Sequence, residues 1–201
     1  MKKMKVTPLF VLTVSLLLIF SVATAGAPSP RDQLQTSIDA ILEVLKDPSL
    51  QGEANTDVRR QALREKIYAR FDFERMSQLS LGRHWRDISP EERQTFVDLF
   101  SRLLEDTYVG KIEGYTDEKV VFLKDQVRDK RAQIDTKIVT DTIEIPIDYR
   151  MYETDAGQWM VYDLVVEGVS LVANYRSQFS RMLESDSFDA LIREIEKKTD
   201  S

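Results

Sequence analysis

The sequence predicts an α+β fold in which helices pack on a curved four-stranded antiparallel sheet and enclose an apolar cavity. Apolar residues recur with the helical period in the first half of the chain and with the strand period of two in the second half. The predicted strand at residues 159–166 is apolar on both faces. A strand with one face in water alternates apolar with polar residues, so both faces here must be covered by protein or by an apolar ligand.

Residues 1–25 are typical of a cleavable export signal. Lysines precede a short apolar run at 9–20, and small residues follow it up to Ala25. This run is shorter than the roughly 20 residues that a membrane-spanning helix needs, which disfavours an uncleaved anchor. We therefore expect a soluble exported protein, cleaved after Ala25 or alternatively after Ala27, with one domain over residues 26–201.

Charge and composition exclude several classes of function. Without residues 1–25 the chain has 25 basic and 34 acidic residues, a formal charge of −9, which disfavours nucleic acid and anionic surfaces as partners. The absence of cysteine excludes disulfides and thiolate sites, and His84 is the only histidine, so we expect neither a metal site nor a cofactor. No glycine-rich phosphate loop or Gly-x-Ser-x-Gly motif is present.

Three helices are predicted before residue 82. Pro30 can open the first, whose apolar residues at 34, 38, 41, 42 and 45 share one face. Thr56 is a plausible N-cap for the second helix. Gly82 suits the C-terminal cap of a short third helix.

The fourth helix has the clearest start signal. Ser89 can cap it, Pro90 suits the first helical position, and Glu92 completes a capping box. A broad apolar stripe follows from Phe96 to Ile112, and on its own such a stripe is more often core than binding site.

The strands are predicted to form a meander. A two-residue turn at 140–141 would set Ile138 opposite Ile143, and a four-residue turn at 154–157 would set Tyr149 opposite Tyr162. These registers bring one alternating set of apolar residues from each strand to the same face of the sheet. The strands are expected at residues 120–123, 132–138, 143–151 and 159–166, and the final helices at 171–183 and 187–197.

One group of residues deserves comparison with an active site. Tyr162, Asp163 and Glu167 lie near the end of the last strand, where a carboxylate and a tyrosine can act as general base and oxyanion donor. Strand alternation, however, predicts that Tyr162 and Asp163 point to opposite faces. We therefore predict no catalytic residues and no enzyme.

Several motifs, taken in order, resemble the MlaC family of periplasmic phospholipid-binding proteins, also called toluene-tolerance auxiliary proteins. The resemblance covers residues 31–198. The motifs are Leu81-Gly82-x-x-Trp85, Ser89-Pro90-Glu91-Glu92-Arg93 with Phe96, Phe100, Leu103, Leu104 and Tyr108, Trp159-x-x-Tyr162-Asp163, Glu167-Gly168-Val169-Ser170, and Asn174-Tyr175-Arg176.

The resemblance implies a monomeric periplasmic carrier that moves phospholipid between the outer and inner membranes and maintains the lipid asymmetry of the outer membrane. Its implied partners are phospholipid, an inner-membrane ABC transporter with MCE-domain subunits, and an outer-membrane lipoprotein–porin complex. Two alternatives stay open. One is a lipid-modifying enzyme with a similar cavity, and the other is an envelope adaptor whose interior is filled by its own side chains.

The physical argument for a carrier is that acyl tails must be hidden from water. Burial is worth about 0.8 kcal/mol per methylene, or roughly 12 kcal/mol for about fifteen methylenes. We expect the tails between the apolar face of the sheet and the helices that start at Pro90 and Leu171, with Arg176 as the only head-group contact we would name. The candidate walls, any of which can instead be ordinary core, are Phe96, Phe100, Leu103, Leu104, Tyr108, Ile134, Ile138, Ile145, Ile147, Tyr149, Tyr162, Leu164, Val166, Leu171 and Tyr175.

Overall fold

The structure is a computed structural model that describes residues 28–114, 119–140 and 142–199, so the predicted export signal lies outside the described residues. It confirms an α+β fold with an antiparallel sheet. The α-helices are α1 (Pro30–Lys46), α2 (Thr56–Tyr68), α3 (Phe73–Leu81), α4 (Pro90–Glu113), α5 (Leu171–Ser185) and α6 (Phe188–Thr199). The strands are β1 (Lys119–Arg128), β2 (Arg131–Val139), β3 (Glu144–Glu153), β4 (Trp159–Val166) and β5 (Val169–Ser170).

The helix starts follow local capping chemistry. At α4 the Ser89 hydroxyl accepts the backbone N–H of Glu92 at 3.2 Å, and the Glu92 carboxylate accepts that of Ser89 at 2.7 Å, which confirms the predicted capping box. Gly82 has a φ of +58° at the end of α3, as predicted for a glycine cap. The prediction for Thr56 was wrong, because Asn55 is the N-cap of α2 and Thr56 is its first helical residue.

The sheet has five strands in the order β1-β2-β3-β4-β5, not four. The additional strand, β5, has only two residues and pairs with the end of β4 after a tight turn at 167–168. A strand of two residues has no periodicity, which is why the sequence pattern does not reveal it. Next to β5, the same edge of β4 accepts the chain between α2 and α3, where the Asp72 N–H donates to the Val161 carbonyl at 2.9 Å.

The predicted pairing of β2 with β3 was wrong by two residues, since Ile138 lies opposite Ile145. The reason is the Thr140 hydroxyl, which accepts the backbone N–H of Ile143 at 3.0 Å and closes a four-residue loop instead of a two-residue turn. A shift of two residues preserves the face on which each side chain lies. Lys137 and Glu144 lie on the same face and form an ion pair diagonally across the strands, at 2.7 Å.

The pairing of β3 with β4 also differs, and here the difference changes a face. Tyr149 lies opposite Leu164, whereas Met151 lies opposite Val161, so a bulge at Tyr162 interrupts β4. The extra residue shifts the alternation by one. Val161 and Leu164 both pack into the apolar cluster between the sheet and α1, and Tyr162 lies on the opposite face.

The core consists of two clusters. The first joins α3, α4, α5 and α6 around Phe96, Phe100 and Phe179, whose ring centroids are 5.6–5.7 Å apart. The second lies between α1 and the sheet, where Leu34 contacts a layer that includes Ile134. An apolar pocket lies between these two clusters.

Candidate functional site

An apolar pocket of about 400 Å³ lies between the helix-covered face of the sheet and the helices α1, α2 and α4. This volume is within the roughly 300–1,000 Å³ that small-molecule sites occupy. Its walls are Leu34, Ser37, Ile38, Ile41, Leu42, Leu45, Arg64, Ile67, Tyr68, Arg70, Phe71, Phe73, Met76, Leu104, Glu105, Tyr108, Val109, Ile112, Val120, Ile138, Ile145, Ile147, Tyr149, Leu164, Val166, Glu167 and Leu171.

Periodicity explains how the pocket is lined. Alternate residues of β3, from Ile145 through Ile147 to Tyr149, face it from the sheet. On α4, Leu104, Tyr108 and Ile112 follow each other at intervals of four and form one stripe. Burial raises the pKa of Tyr108, as expected for a phenol held against apolar neighbours. The arrangement offers dispersion contacts and few polar ones.

Most of the predicted wall residues line this pocket, and the structure places the others elsewhere. Phe96, Phe100, Leu103 and Tyr175 belong to the helical core, because the first half of α4 packs on α5 and α6 and only its second half reaches the pocket. Ile134 is fully buried in the cluster beneath α1. The residues that do line the pocket are Leu104, Tyr108, Ile138, Ile145, Ile147, Tyr149, Leu164, Val166 and Leu171.

Tyr162 requires a correction. The bulge in β4 puts it on the polar face of the sheet, where the Arg131 guanidinium lies 5.8 Å from its ring centre. The predicted placement of Tyr162 and Asp163 on opposite faces was therefore wrong, since the bulge gives both residues the same face. The sequence carries no signal for this bulge, because alternating apolar residues continue through it.

The sequence reasoning missed the wall that α1 and α2 contribute. Leu34, Ile38 and Leu42 of α1 face Ile67 and Tyr68 of α2 around one side of the pocket. The signal was present in the apolar stripe of α1, at residues 34, 38, 41, 42 and 45. What was not visible is that α1 crosses the sheet, because only tertiary contacts show which face a helix covers.

Most of the charged side chains at the pocket form hydrogen bonds or ion pairs with other residues. Arg70 donates to Ser37 at 2.8 Å and to the Trp159 carbonyl at 2.6 Å, and burial lowers its pKa. Arg64 donates to both carboxylate oxygens of Glu105, and that carboxylate raises the pKa of Arg64. These pairs hold the helices together around the pocket and leave its interior apolar.

Asp163 has a structural role. Its side chain is 4% exposed and accepts the Ser170 hydroxyl at 2.6 Å, the Val172 N–H at 3.0 Å and the Arg150 guanidinium at 2.9 Å. These bonds join β3 and β4 to the start of α5. Arg176 does not line the pocket, because it is exposed on α5 with its methylene groups over Gly82.

In the described ranges, 28–114, 119–140 and 142–199, no group of three or more histidine or acidic residues is placed to hold a metal ion. Across the same part of the chain, no helix has both the length and the apolar character needed to cross a membrane.

Comparison with known proteins decides the family. The profile of the family described as MlaC protein matches residues 35–197, which is most of the chain. The chain belongs to the MlaC family. The resemblance predicted from its motifs is thereby confirmed.

Two relatives have low sequence identity to this chain but match it over most of their length. The toluene tolerance protein Ttg2D of Pseudomonas putida is 25% identical over 87% of this chain and 82% of its own. The intermembrane phospholipid transport system binding protein MlaC of Haemophilus influenzae is 22% identical over 94% of this chain and 89% of its own.

A solved structure shares the fold of this MlaC-family chain. It is the phospholipid-binding protein of Ralstonia solanacearum in complex with a phospholipid, 26% identical, with a TM-score of 0.78. The match covers 86% of this chain and 97% of that one.

Proposed function

We propose that this protein is a soluble periplasmic carrier that holds the acyl tails of a phospholipid in its apolar pocket and moves the lipid between the outer and inner membranes. The observation that carries the proposal is the pocket between the sheet and α1, α2 and α4. The structural relative that binds a phospholipid supports it, because that protein shares the fold which forms these walls.

The composition of the pocket fits the energetic task. Hiding a tail of about fifteen methylenes from water is worth roughly 12 kcal/mol, and dispersion contacts along the walls can recover this cost. Arg64, Arg70 and Glu105, which line the pocket, are engaged with protein partners, so they leave few polar contacts to hold the lipid in one position. A carrier needs such a balance, because it must also release its cargo.

We assign the tail contacts to the predicted residues that line the pocket and to the wall formed by α1 and α2. In the same proposal, residues 1–25 direct export and are removed, and residues 26–201 act as one monomeric domain. The partners are an inner-membrane ABC transporter with an MCE-domain subunit and an outer-membrane lipoprotein–porin complex. Transport between these partners would maintain the lipid asymmetry of the outer membrane.

A substitution that fills the pocket tests the proposal. Leu164→Trp places a larger side chain against the walls, whereas Leu123→Trp makes the same change on β1, where Leu123 is 55% exposed and does not line the pocket. We expect Leu164→Trp to lower the phospholipid that is extracted per folded protein by half or more, and Leu123→Trp to leave it unchanged. Phospholipid absent from the unsubstituted protein, even in fresh envelope fractions, would refute the carrier proposal.

We also propose that the protein is not an enzyme. Asp163, the strongest candidate for a general base, is engaged by three donors and holds α5 on the sheet. Conversion of extracted phospholipid during long incubation with the protein, lost in Asp163→Asn, would contradict this proposal.

A substitution in the core does not distinguish the envelope adaptor from the carrier. Phe100 is fully buried in the helical core, so Phe100→Ala is expected to destabilise a carrier and an adaptor equally. The informative comparison is thermal unfolding with and without added phospholipid. A carrier gains stability from the lipid it binds, whereas an adaptor with a filled interior does not.

A further inference from the structure

Glu167 has a backbone conformation that its residue type disfavours. It forms, with Gly168, the two-residue turn between β4 and β5, and their φ angles are +50° and +80°. Positive φ at both central positions is typical of a type I′ turn, which favours asparagine, aspartate or glycine. A glutamate in this conformation is strained by its Cβ and gains no local hydrogen bond from its longer side chain. The turn alone therefore does not explain a glutamate at this position.

The Glu167 carboxylate also has no bonding partner among the described residues. Its backbone N–H donates to the Pro146 carbonyl at 3.0 Å, but within the described ranges its side chain forms no hydrogen bond or ion pair. The other charged residues that line the apolar pocket are engaged with one another or with neighbouring polar groups, as described above. Glu167 is thus an exposed, negatively charged residue of the pocket wall whose side chain has no partner among the described residues.

The surroundings of Glu167 restrict what it can bind. Val166 precedes it on the pocket wall, and Val169, two residues later, is 59% exposed. A ligand that meets this carboxylate while its apolar part lies in the pocket must carry a cationic group joined to apolar chains. A lipid ammonium group satisfies both conditions, because it donates charge-assisted hydrogen bonds to a carboxylate and is tethered to acyl tails.

We propose that Glu167 binds the ammonium group of a zwitterionic phospholipid head group, as in phosphatidylethanolamine, and disfavours an anionic head group without a cation, as in phosphatidylglycerol. This inference rests on the proposed function, since it assigns the head group of the same lipid. The turn between β4 and β5 places Glu167 among the residues that line the pocket.

Competition between two lipids tests the inference. Lipid-free protein is incubated with vesicles of equimolar phosphatidylethanolamine and phosphatidylglycerol that carry identical acyl chains, and the bound lipids are measured by mass spectrometry. We expect the unsubstituted protein to favour phosphatidylethanolamine by roughly two- to fivefold, the range for one exposed charge pair. Glu167→Gln should bring the ratio close to one, and Glu167→Lys should invert it.

Asp129, in the hairpin formed by β1 and β2, provides a matched control. Asp129 has a φ of +49°, lies in the turn between β1 and β2, and does not line the pocket, so Asp129→Asn should leave the ratio unchanged. An unchanged ratio in both Glu167 variants, or an equal change in Asp129→Asn, would overturn the role of Glu167 while leaving the carrier proposal intact. Uptake of neither lipid by the unsubstituted protein would instead refute the carrier proposal and this inference with it.

Discussion

Asp163 offers a quantitative test of how the helices are attached to the sheet. Asp163→Ala removes a buried carboxylate that accepts the Val172 N–H, the Ser170 hydroxyl and the Arg150 guanidinium. Each hydrogen bond to a charged group contributes about 1.5–3 kcal/mol when its donor is buried. Arg150 is 41% exposed and can return to water, so its share is about 0–1 kcal/mol. We therefore expect a loss of about 3–7 kcal/mol in the free energy of unfolding.

The conservative substitution refines this expectation. Asp163→Asn keeps one oxygen to accept the Val172 N–H but brings an NH₂ group towards the Arg150 guanidinium, so a smaller loss of about 1–2 kcal/mol is expected. Asp155→Asn is the control, because the Asp155 side chain is fully exposed and its pairing with Lys130 should contribute little. The urea midpoint of this variant should stay unchanged.

The assay is urea unfolding of lipid-free protein followed by the fluorescence of Trp85 and Trp159. Removing the lipid matters, because bound ligand would add its own stabilisation to every variant. A loss below about 1 kcal/mol for Asp163→Ala would refute the reasoning that buried, charge-assisted bonds attach α5 to the sheet. An equal loss for Asp155→Asn would refute it as well.

Two further predictions follow from single residues. Glu167→Asn should raise the free energy of unfolding of lipid-free protein by about 0.5–1 kcal/mol, because asparagine tolerates positive φ better, and a lower urea midpoint would contradict the assigned strain. Burial and then the hydrogen bond to Asp72 raise the pKa of Tyr152 to about 12 from an ordinary 10.0, so its contribution to stability is complete below pH 10 and declines as the pH rises towards 12. Ultraviolet titration of the tyrosines should show that Asp72→Asn lowers the pKa of Tyr152, and an unchanged titration curve would argue against that bond.

The features of this protein that could be predicted from its sequence depend on residues that are close together in the chain. The capping box at Ser89 and the glycine cap at Gly82 were predictable, because each depends on residues within one turn of the helix. The strand segments at 132–138 and 159–166 were predictable for a similar reason, since alternation is a local pattern. The family was also evident, because its motifs are spread over nearly the whole chain.

The pocket shows the limit of this reasoning. An apolar stripe indicates that one face of a helix is covered, but not which element covers it. Phe96 and Phe100 were therefore predicted to line the pocket, although α5 and α6 cover them. The same ambiguity hid the contribution of α1, whose apolar stripe meets the sheet as well as α2. Tyr108, in the second half of α4, lines the pocket.

The sequence by itself determined the fold class, the positions of the helices and main strands, and the family of this protein, because each depends on local patterns or on motifs that can be read in order. Only the tertiary structure decided the strand registers, the bulge at Tyr162 and the division between filled core and open pocket. These features depend on which loop closes each hairpin and on which helix reaches each face. Such long-range contacts are set by packing among residues far apart in the chain, and no local period encodes them.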